Sequence, residues 1–369
     1  MEEKGEIMND FRFGLEAEFC LAEKNTLRPL WHKDITFKQL DDLFTTLSLE
    51  GIPSLDGLAA EPPHTKLMPW IVEGYGVSDA DFKVIDALPK GVEIRTPVCE
   101  SITQTLEVYT TLYERLKVGL ETLHMIPLAI SHHPTESKFV GAQNKRRHDF
   151  WQWAMEVMTT YGPDINVSFP KEITKRLFSN IEDLNAKVDY YAPAMAAVSL
   201  NSPLINGKPW EIKGQRGLSY RTHRRSIIAP PIELHEDENF RIEFKVFEMT
   251  PNVRDFEAYF LLTAALFLDE ELKGRASKYE RIYDLGAVAR FGLRAEGIRE
   301  RLSEIMQRAP KVLKSYGFKT DALSIIAERM ETFKTPSHGI LERYDHTHGN
   351  LYETLRPLST LTTLHQRII

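Results

Sequence analysis

The sequence predicts a mixed fold, α+β or α/β, in which a sheet is covered by helices. Three observations carry this expectation. Phe11–Leu21 alternates apolar and polar residues with the period of two that marks a half-buried strand, and Arg241–Met249 does the same. Ser101–Leu123 places Thr105, Leu106, Tyr109, Leu112, Leu116 and Leu120 at helical intervals behind Ser101, a good N-cap. From Asp255 to about Ile369 the pattern is mainly helical, so strands mixed with helices give way to a helical tail.

The remaining elements follow in order. Phe37–Leu49 has helical spacing, and Gly51–Pro69, rich in Pro and Gly, reads as loop. Met68–Tyr75 and Gly91–Val98 read as strands. Met125–Ser131 reads as another, followed by a polar loop to Lys145. Arg147–Tyr161 is expected to be helical, Asp164–Phe169 a strand, and Ile173–Leu200 mostly helical. Asn201–Pro231 is long, polar and rich in Gly, Pro and Arg, and so long an irregular stretch inside a globular chain is usually functional or mobile.

Composition narrows the function. The chain has 369 residues, 42% of them hydrophobic, enough to bury a substantial core. A net charge of −7 argues against a nucleic-acid partner, whose footprint would be basic. Basic residues do cluster at Lys145–Arg147 and Arg221–Arg225, which suits a phosphate-bearing small ligand better than a duplex. The two cysteines, Cys20 and Cys99, sit in strand patterns as small buried hydrophobes, and so few of them point to a reducing compartment. The acidic N-terminus has no apolar h-region of a signal peptide. The longest apolar run, Tyr259–Leu268, is too short to span a bilayer. The expected setting is the cytoplasm, with no membrane partner.

The acids carry the chemistry. Glu16 and Glu18 are two apart on a strand, so they share the face opposite Phe13, Leu15, Ala17 and Phe19. Taken alone, this reads as a solvated strand face. If the face lines a cleft, two like charges at that spacing need a cation between them, and hard cations such as Mg²⁺ take carboxylate oxygens. The pattern recurs. Glu93 and Arg95 share a face opposite Val92 and Ile94, with Asp86 at the preceding turn, and a third strand carries Glu243, Lys245 and Glu248. Acids on three strands suggest one shared polar sheet face, suited to metal-bridged phosphate chemistry. Arg221, Arg224 and Arg225 supply planar forks that bind carboxylate or phosphate, with a solvated loop as the competing reading. No Walker A sequence, GxGxxG or nucleophile elbow is present.

From Phe13 to Ala258 several ordered motifs resemble one family. Gly14-Leu15-Glu16-Ala17-Glu18 looks like an opening G-x-E-x-E strand, and Glu93-Ile94-Arg95-Thr96-Pro97-Val98 like an E-I-x-T-P-V strand. His133-Pro134 looks like the His-Pro that follows the third strand. Asn201-Ser202-Pro203 with Gly207 and Ser219-Tyr220-Arg221 looks like an N-S-P…G…S-Y-R loop, and Ile242 to Pro251 like an I-E-x-R-x-x-D-x-x-P strand. Together they resemble the bacterial carboxylate–amine ligase branch of the type 2 glutamate–cysteine ligases. The resemblance implies an α+β, glutamine-synthetase-like fold, with a curved, mainly antiparallel sheet lining the active site and helices on its outer face. It implies a single catalytic domain over 1–369, with its sheet-forming part at about 11–252 and a mainly helical part at about 253–369.

By the same resemblance Glu16, Glu18, Glu93 and Glu243 match Mg²⁺-holding positions, and Asp86 a further one. Asp164 stands where the family has a metal-binding histidine, Asn166 is placed to contact nucleotide or phosphate, and Arg221 to contact substrate or phosphate. Lys245 replaces an arginine, keeping the charge but not the fork. The implied reaction is ATP-dependent, with Mg²⁺ or Mn²⁺. A carboxylate, glutamate by default, becomes an acyl phosphate, Lys245 and Arg221 offset the developing charge, and an amine then forms an amide. The acceptor amine is open. A phosphotransferase on the same scaffold and a silent binding protein for nucleotide or amino acid are the alternatives, and a homodimer is compatible with the helical tail.

Overall fold

The computed structural model describes residues 10–140, 155, 157–225, 229–236 and 240–362. Its centre is a seven-stranded antiparallel sheet in the order β10-β11-β5-β1-β3-β2, with β4 also paired to β1. The strands are β1 (Arg12–Glu23), β2 (Trp70–Ser78), β3 (Val84–Arg95), β4 (Met125–Leu128), β5 (Pro163–Ser168), β10 (Ile232–His235) and β11 (Arg241–Phe244). Every neighbouring pair in it is antiparallel, which settles the fold class as α+β. The sheet is curved.

β1 shows why these residues make this sheet. Phe13, Leu15, Ala17 and Phe19 are buried, while Arg12, Gly14, Glu16 and Glu18 are half-buried on the other face. The apolar face packs against α2 (Ile102–Thr122) and α6 (Val253–Leu268). Phe13 meets Phe260 edge-on with ring centroids 5.9 Å apart, and Phe19 meets Tyr113 at 5.5 Å. In α2, Ser101 caps the first turn by accepting from the Gln104 N–H at 3.1 Å. α6 is apolar nearly all round and almost wholly buried, the pattern of a central helix rather than a surface one. α8 (Ile298–Ser315) and α9 (Leu323–Thr332) enclose it, and Arg329 closes an ion pair on Asp255 at 2.8 Å. One hydrophobic cluster runs from Phe11 to Leu361.

Several elements differ from expectation. The strand expected over Gly91–Val98 is the end of a longer ribbon, because β3 begins at Val84 and pairs with β2 through an irregularity at Lys90. Asp86 therefore lies within β3 and not at a turn before it. The strand expected over Arg241–Met249 stops at Phe244, because Glu248 turns away into the neighbouring loop. Met125–Ser131 pairs only to Leu128. β10 had no sequence signal. Of the helix expected over Arg147–Tyr161, residues 147–154 and 156 lie outside the described part, and Val157–Thr159 forms a single 3₁₀ turn. The basic group Lys145–Arg147 also lies outside it. Between 201 and 225 the chain makes two short hairpins, β6–β7 (Leu204–Ile205, Lys208–Pro209) and β8–β9 (Glu211–Ile212, Gln215–Arg216), and then the helix α5 (Tyr220–Arg225). No described helix is long and apolar enough to cross a membrane.

Candidate active site

Register brings the acids together. Residues directly opposite one another on paired strands share a face. Glu18 faces Glu93, Glu16 faces both Arg95 and Asp164, and Asn166 faces Gly14 on one side and Glu243 on the other. Glu243 in turn faces Glu233. The polar face opposite the core thus carries rows of acids that cross strands far apart in sequence.

One group of acids centres on Glu16, Asp164 and Glu243, each offering an oxygen within 4.8 Å of the others. Burial, together with the charges of Glu243 and Asp164, pushes the Glu16 carboxyl up to about 8. Burial also pushes Glu243 upward, but the Lys245 ammonium and the Arg241 guanidinium more than offset it and leave that carboxyl below its ordinary value. Lys245 Nζ pairs with Glu243, with Asp164 Oδ2 at 3.3 Å and with Glu233 Oε2 at 3.4 Å. Arg241 donates to Glu243 Oε2 at 3.0 Å and to the Asn166 side-chain oxygen. The Asn166 amide donates to Glu16 Oε1 at 3.2 Å. His235 Nε2 lies 2.9 Å from Glu243 Oε2, and Glu233, His235 and Glu243 form a second set of convergent donors.

Glu18 and Glu93 make the other group with Glu73 of β2. Burial, then the neighbouring carboxylates, hold Glu93 well above the ordinary carboxylate range, and burial pushes Glu73 up to about 7. Lys90 is the cation of this group. Its Nζ is 2.9 Å from Glu18 Oε1, 3.3 Å from Glu73 Oε1 and 2.7 Å from the Thr160 carbonyl. The donor chemistry fits a hard divalent cation. These are carboxylate oxygens, gathered closely enough that neighbouring charge and burial disfavour full ionisation, and a Mg²⁺ ion takes such oxygens at about 2.1 Å.

Arg221 reaches the same face from α5. It is almost fully buried, and its Nη2 donates to the Lys245 carbonyl at 3.3 Å. The guanidinium lies over Gly162, where a Cβ would come within 2.2 Å of Nη2, so only glycine leaves room for it. Gly162 in turn donates its N–H to Glu18 Oε2 at 2.8 Å, which ties Arg221 to the acids of β1. Glu248 holds the loop that carries Arg221. Fully buried, it accepts from the Asn201 N–H at 2.6 Å, the Ser202 hydroxyl at 2.8 Å, the Thr222 hydroxyl at 2.7 Å and the Ser219 hydroxyl.

The structure thus gathers Glu16, Glu18, Glu93, Asp164, Asn166, Glu243, Lys245 and Arg221. Asp86 is not among them. It is exposed in the outer part of β3, and its carboxylate accepts from the N–H of the next residue, Ala87, at 2.8 Å. Arg224 is half-buried on α5, and the side chain of Arg225 lies outside the described part. His132 and His133 are buried structural groups, bonded to the Thr159 hydroxyl at 2.9 Å and the Leu30 carbonyl at 3.1 Å. Trp70 and Trp210 are packing residues. Trp70 donates to the Leu112 carbonyl at 3.1 Å, and Trp210 packs at a tilt against His223 with ring centroids 4.9 Å apart. Sequence reasoning missed Lys90, Glu73, Arg241 and His235. Only Arg241 carried a signal, two residues before Glu243 on the same strand face.

Residues 12–238, more than half of the chain, match the family described as Glutamate-cysteine ligase family 2 (GCS2). A Rhodospirillum rubrum protein named "Putative glutamate--cysteine ligase 2" is 25% identical over 164 residues, 43% of this chain, and the match spans 40% of that relative's length. Three solved structures share the fold. A bifunctional glutathione synthetase from Pasteurella multocida aligns with a TM-score of 0.61 at 13% identity, over 97% of this chain and 53% of that one. Glutamate–cysteine ligase from Francisella tularensis in complex with AMP aligns at 0.58 and 12% identity, over 95% of this chain and 88% of that one. The complex between the prokaryotic ubiquitin-like protein Pup and its ligase PafA aligns at 0.51 and 11% identity, over 96% of this chain and 68% of that one. The rows of acids on an antiparallel sheet therefore sit in a chain that belongs to the Glutamate-cysteine ligase family 2.

Proposed function

We propose that this protein is an ATP-dependent carboxylate–amine ligase, with glutamate as its default carboxylate donor. The observation that carries the reading is the convergence of Glu16, Asp164 and Glu243 around the Lys245 ammonium, on a face that also gathers Glu18, Glu93 and Arg221. The acids would hold Mg²⁺, which when bound neutralises and orients the ATP phosphates. The γ-phosphoryl group passes to an oxygen of the donor carboxylate, giving an acyl phosphate and ADP. Lys245 and Arg221 lie where they can offset the charge on the transferring group. Arg241 and Asn166 fix Glu16 and Glu243, so that those two do not have to reorganise during transfer. The amine nitrogen then attacks the acyl carbon, phosphate leaves with the C–O bonding pair, and the nitrogen gives up a proton as the amide forms. The loop anchored by Glu248 helps keep water from the intermediate.

The test is incubation of the purified chain with ATP, Mg²⁺ and a pool of amino acids and small amines, read by mass spectrometry. The expected products are ADP and a compound equal to two substrates minus one water, both absent with Glu243→Ala. ADP with a phosphorylated metabolite and no amide would replace the ligase reading by a phosphotransferase. Nucleotide binding without ADP in any pool would replace it by a binding protein.

A further inference from the structure

The core side of β1 is not closed at its beginning. Phe13, with Phe11 just before the strand, lies on the face opposite Glu16 and Glu18. A cavity of about 150 Å³ opens there, between the start of α2, the first half of α6 and the turn that follows α8. An apolar cavity of about that size holds a benzene ring. Its floor is aromatic. Phe11 and Phe13 stack with ring centroids 6.1 Å apart, Phe318 meets Phe11 edge-on at 5.2 Å, and Leu261 lies beside them. The end of α8 places Phe318. Gly317 turns the chain with a φ of 85°, which glycine takes without strain, and Phe318 donates its N–H to the Leu313 carbonyl at 3.1 Å.

The mouth is charged with both signs. The same turn sets Lys319 there, exposed, and α6 supplies Glu257, half-buried. The Glu257 side chain makes no hydrogen bond or ion pair among the described residues. Burial pushes its carboxyl upward, and the charges of Arg254 and Lys319 draw it only partly back. A carboxylate taken half out of water without a partner is unfavourable. Here an ammonium stands at the same cavity and the two do not pair. An acid and a base held apart around an aromatic floor complement a molecule that carries an ammonium, a carboxylate and an apolar group together.

We infer that this cavity binds an apolar α-amino acid as its zwitterion, with the side chain on Phe11, Phe13 and Phe318, the ammonium on Glu257 and the carboxylate on Lys319. The inference does not depend on the ligase reading. The cavity lies across β1 from the acids, so an amino acid held here is a ligand apart from whatever reacts on the acid-bearing face. The floor sets the preference for a ring or a branched chain by burying apolar surface. The two charges set the preference for an amino acid over a plain amine or a plain acid.

The experiment is isothermal titration calorimetry on the full chain without nucleotide or metal. The probes are L-phenylalanine, 3-phenylpropionate, which lacks the ammonium, phenethylamine, which lacks the carboxylate, and L-alanine, which lacks the ring. The wild type is expected to bind L-phenylalanine about tenfold or more tightly than each of the other three, the worth of one charge-assisted contact or one buried ring. Glu257→Gln brings L-phenylalanine to the level of 3-phenylpropionate and leaves 3-phenylpropionate unchanged. Lys319→Met brings it to the level of phenethylamine and leaves phenethylamine unchanged. Neither side chain pairs in the free chain, so both variants are expected to fold, and either one alone decides its half of the ligand. Glu243→Ala, on the acid-bearing face, is expected to leave L-phenylalanine binding unaltered. No binding of L-phenylalanine at roughly 10 mM, a concentration that would reveal even a millimolar site, overturns the assignment. L-alanine binding as tightly, or undiminished L-phenylalanine binding in the Glu257 and Lys319 variants, also overturns it. So does loss of binding in Glu243→Ala, which would move the amino acid to the acid-bearing face.

Discussion

Lys90 places its ammonium 2.9 Å from Glu18, from a side chain that is itself only 5% exposed. It is the one ammonium in contact with Glu18 and Glu73 among the described residues, and Glu93 stands opposite Glu18 in register. Lys90→Met leaves these carboxylates uncompensated and is expected to cost roughly 3–5 kcal/mol of stability. Urea unfolding with and without millimolar Mg²⁺ checks it. Mg²⁺ is expected to recover part of the loss, because a divalent ion can take over the neutralising charge.

Lys245 competes with any metal ion for Glu243 and Asp164, since its ammonium already touches both. Lys245→Ala is expected to tighten Mn²⁺ binding, measured by the loss of the free-ion signal in electron paramagnetic resonance. ATP turnover falls by about 100-fold or more in the same variant, as when one electrostatic stabiliser of a transition state is removed. Unchanged Mn²⁺ affinity would show that the ammonium does not occupy metal space.

Gly162 is the floor under Arg221. In Gly162→Ala the new methyl would sit 2.2 Å from Nη2, so the guanidinium must shift. We expect roughly 1–3 kcal/mol of destabilisation, the usual cost of overpacking. The larger effect falls on turnover, since Arg221 loses its position over Gly162 and its contact with the Lys245 carbonyl. A variant with normal ATP turnover would remove Arg221 from the phosphate-handling set.

Burial pushes the His133 imidazole down to about 4, and the same cause, with the His133 charge, pushes His132 down to about 3. The unfolded chain therefore binds protons that the folded one does not as pH falls below 6.5, and stability is lost in that window. Relative to His133→Gln, the wild type should lose about 1.4 kcal/mol per pH unit between pH 6.5 and 4. The upward-shifted carboxylates act in the opposite sense in both proteins, so the difference between the two unfolding curves isolates the histidine. A constant difference across that window contradicts the assignment.

Much of this architecture is legible in the amino-acid order. β1 reads directly, because one face meets helices and the other does not, and its period of two is uninterrupted from Phe13 to Phe19. α2 reads through Ser101 and its apolar stripe. β3 reads only at its end. Pro89, Lys90 and Gly91 look like a break, whereas they form an irregularity within a continuous ribbon, and Gly91 is needed because a Cβ there would meet the Phe19 carbonyl at 2.0 Å. Glu248 has the same local pattern as Glu243, yet one enters the acid cluster and the other a nest of hydroxyls. That difference is made by Ser202 and Ser219, which are distant in sequence. Lys90 and Glu73 were hidden for a similar reason, since a lone lysine or glutamate in a strand says nothing of the partner that register will supply.

The direct opposition of Glu18 to Glu93, and of Glu16 to Asp164, also limits how this gene can change. A strand alternates sides with each residue, so inserting or deleting one amino acid between Gly14 and Glu18 would turn an acid into the hydrophobic interior and an apolar side chain outward. Such an indel would cost folding and chemistry together. Tolerated length variation should therefore collect in the connections, between α1 (Phe37–Phe44) and β2 or around the β6–β7 hairpin, while the spacing of Glu16 and Glu18 stays unaltered.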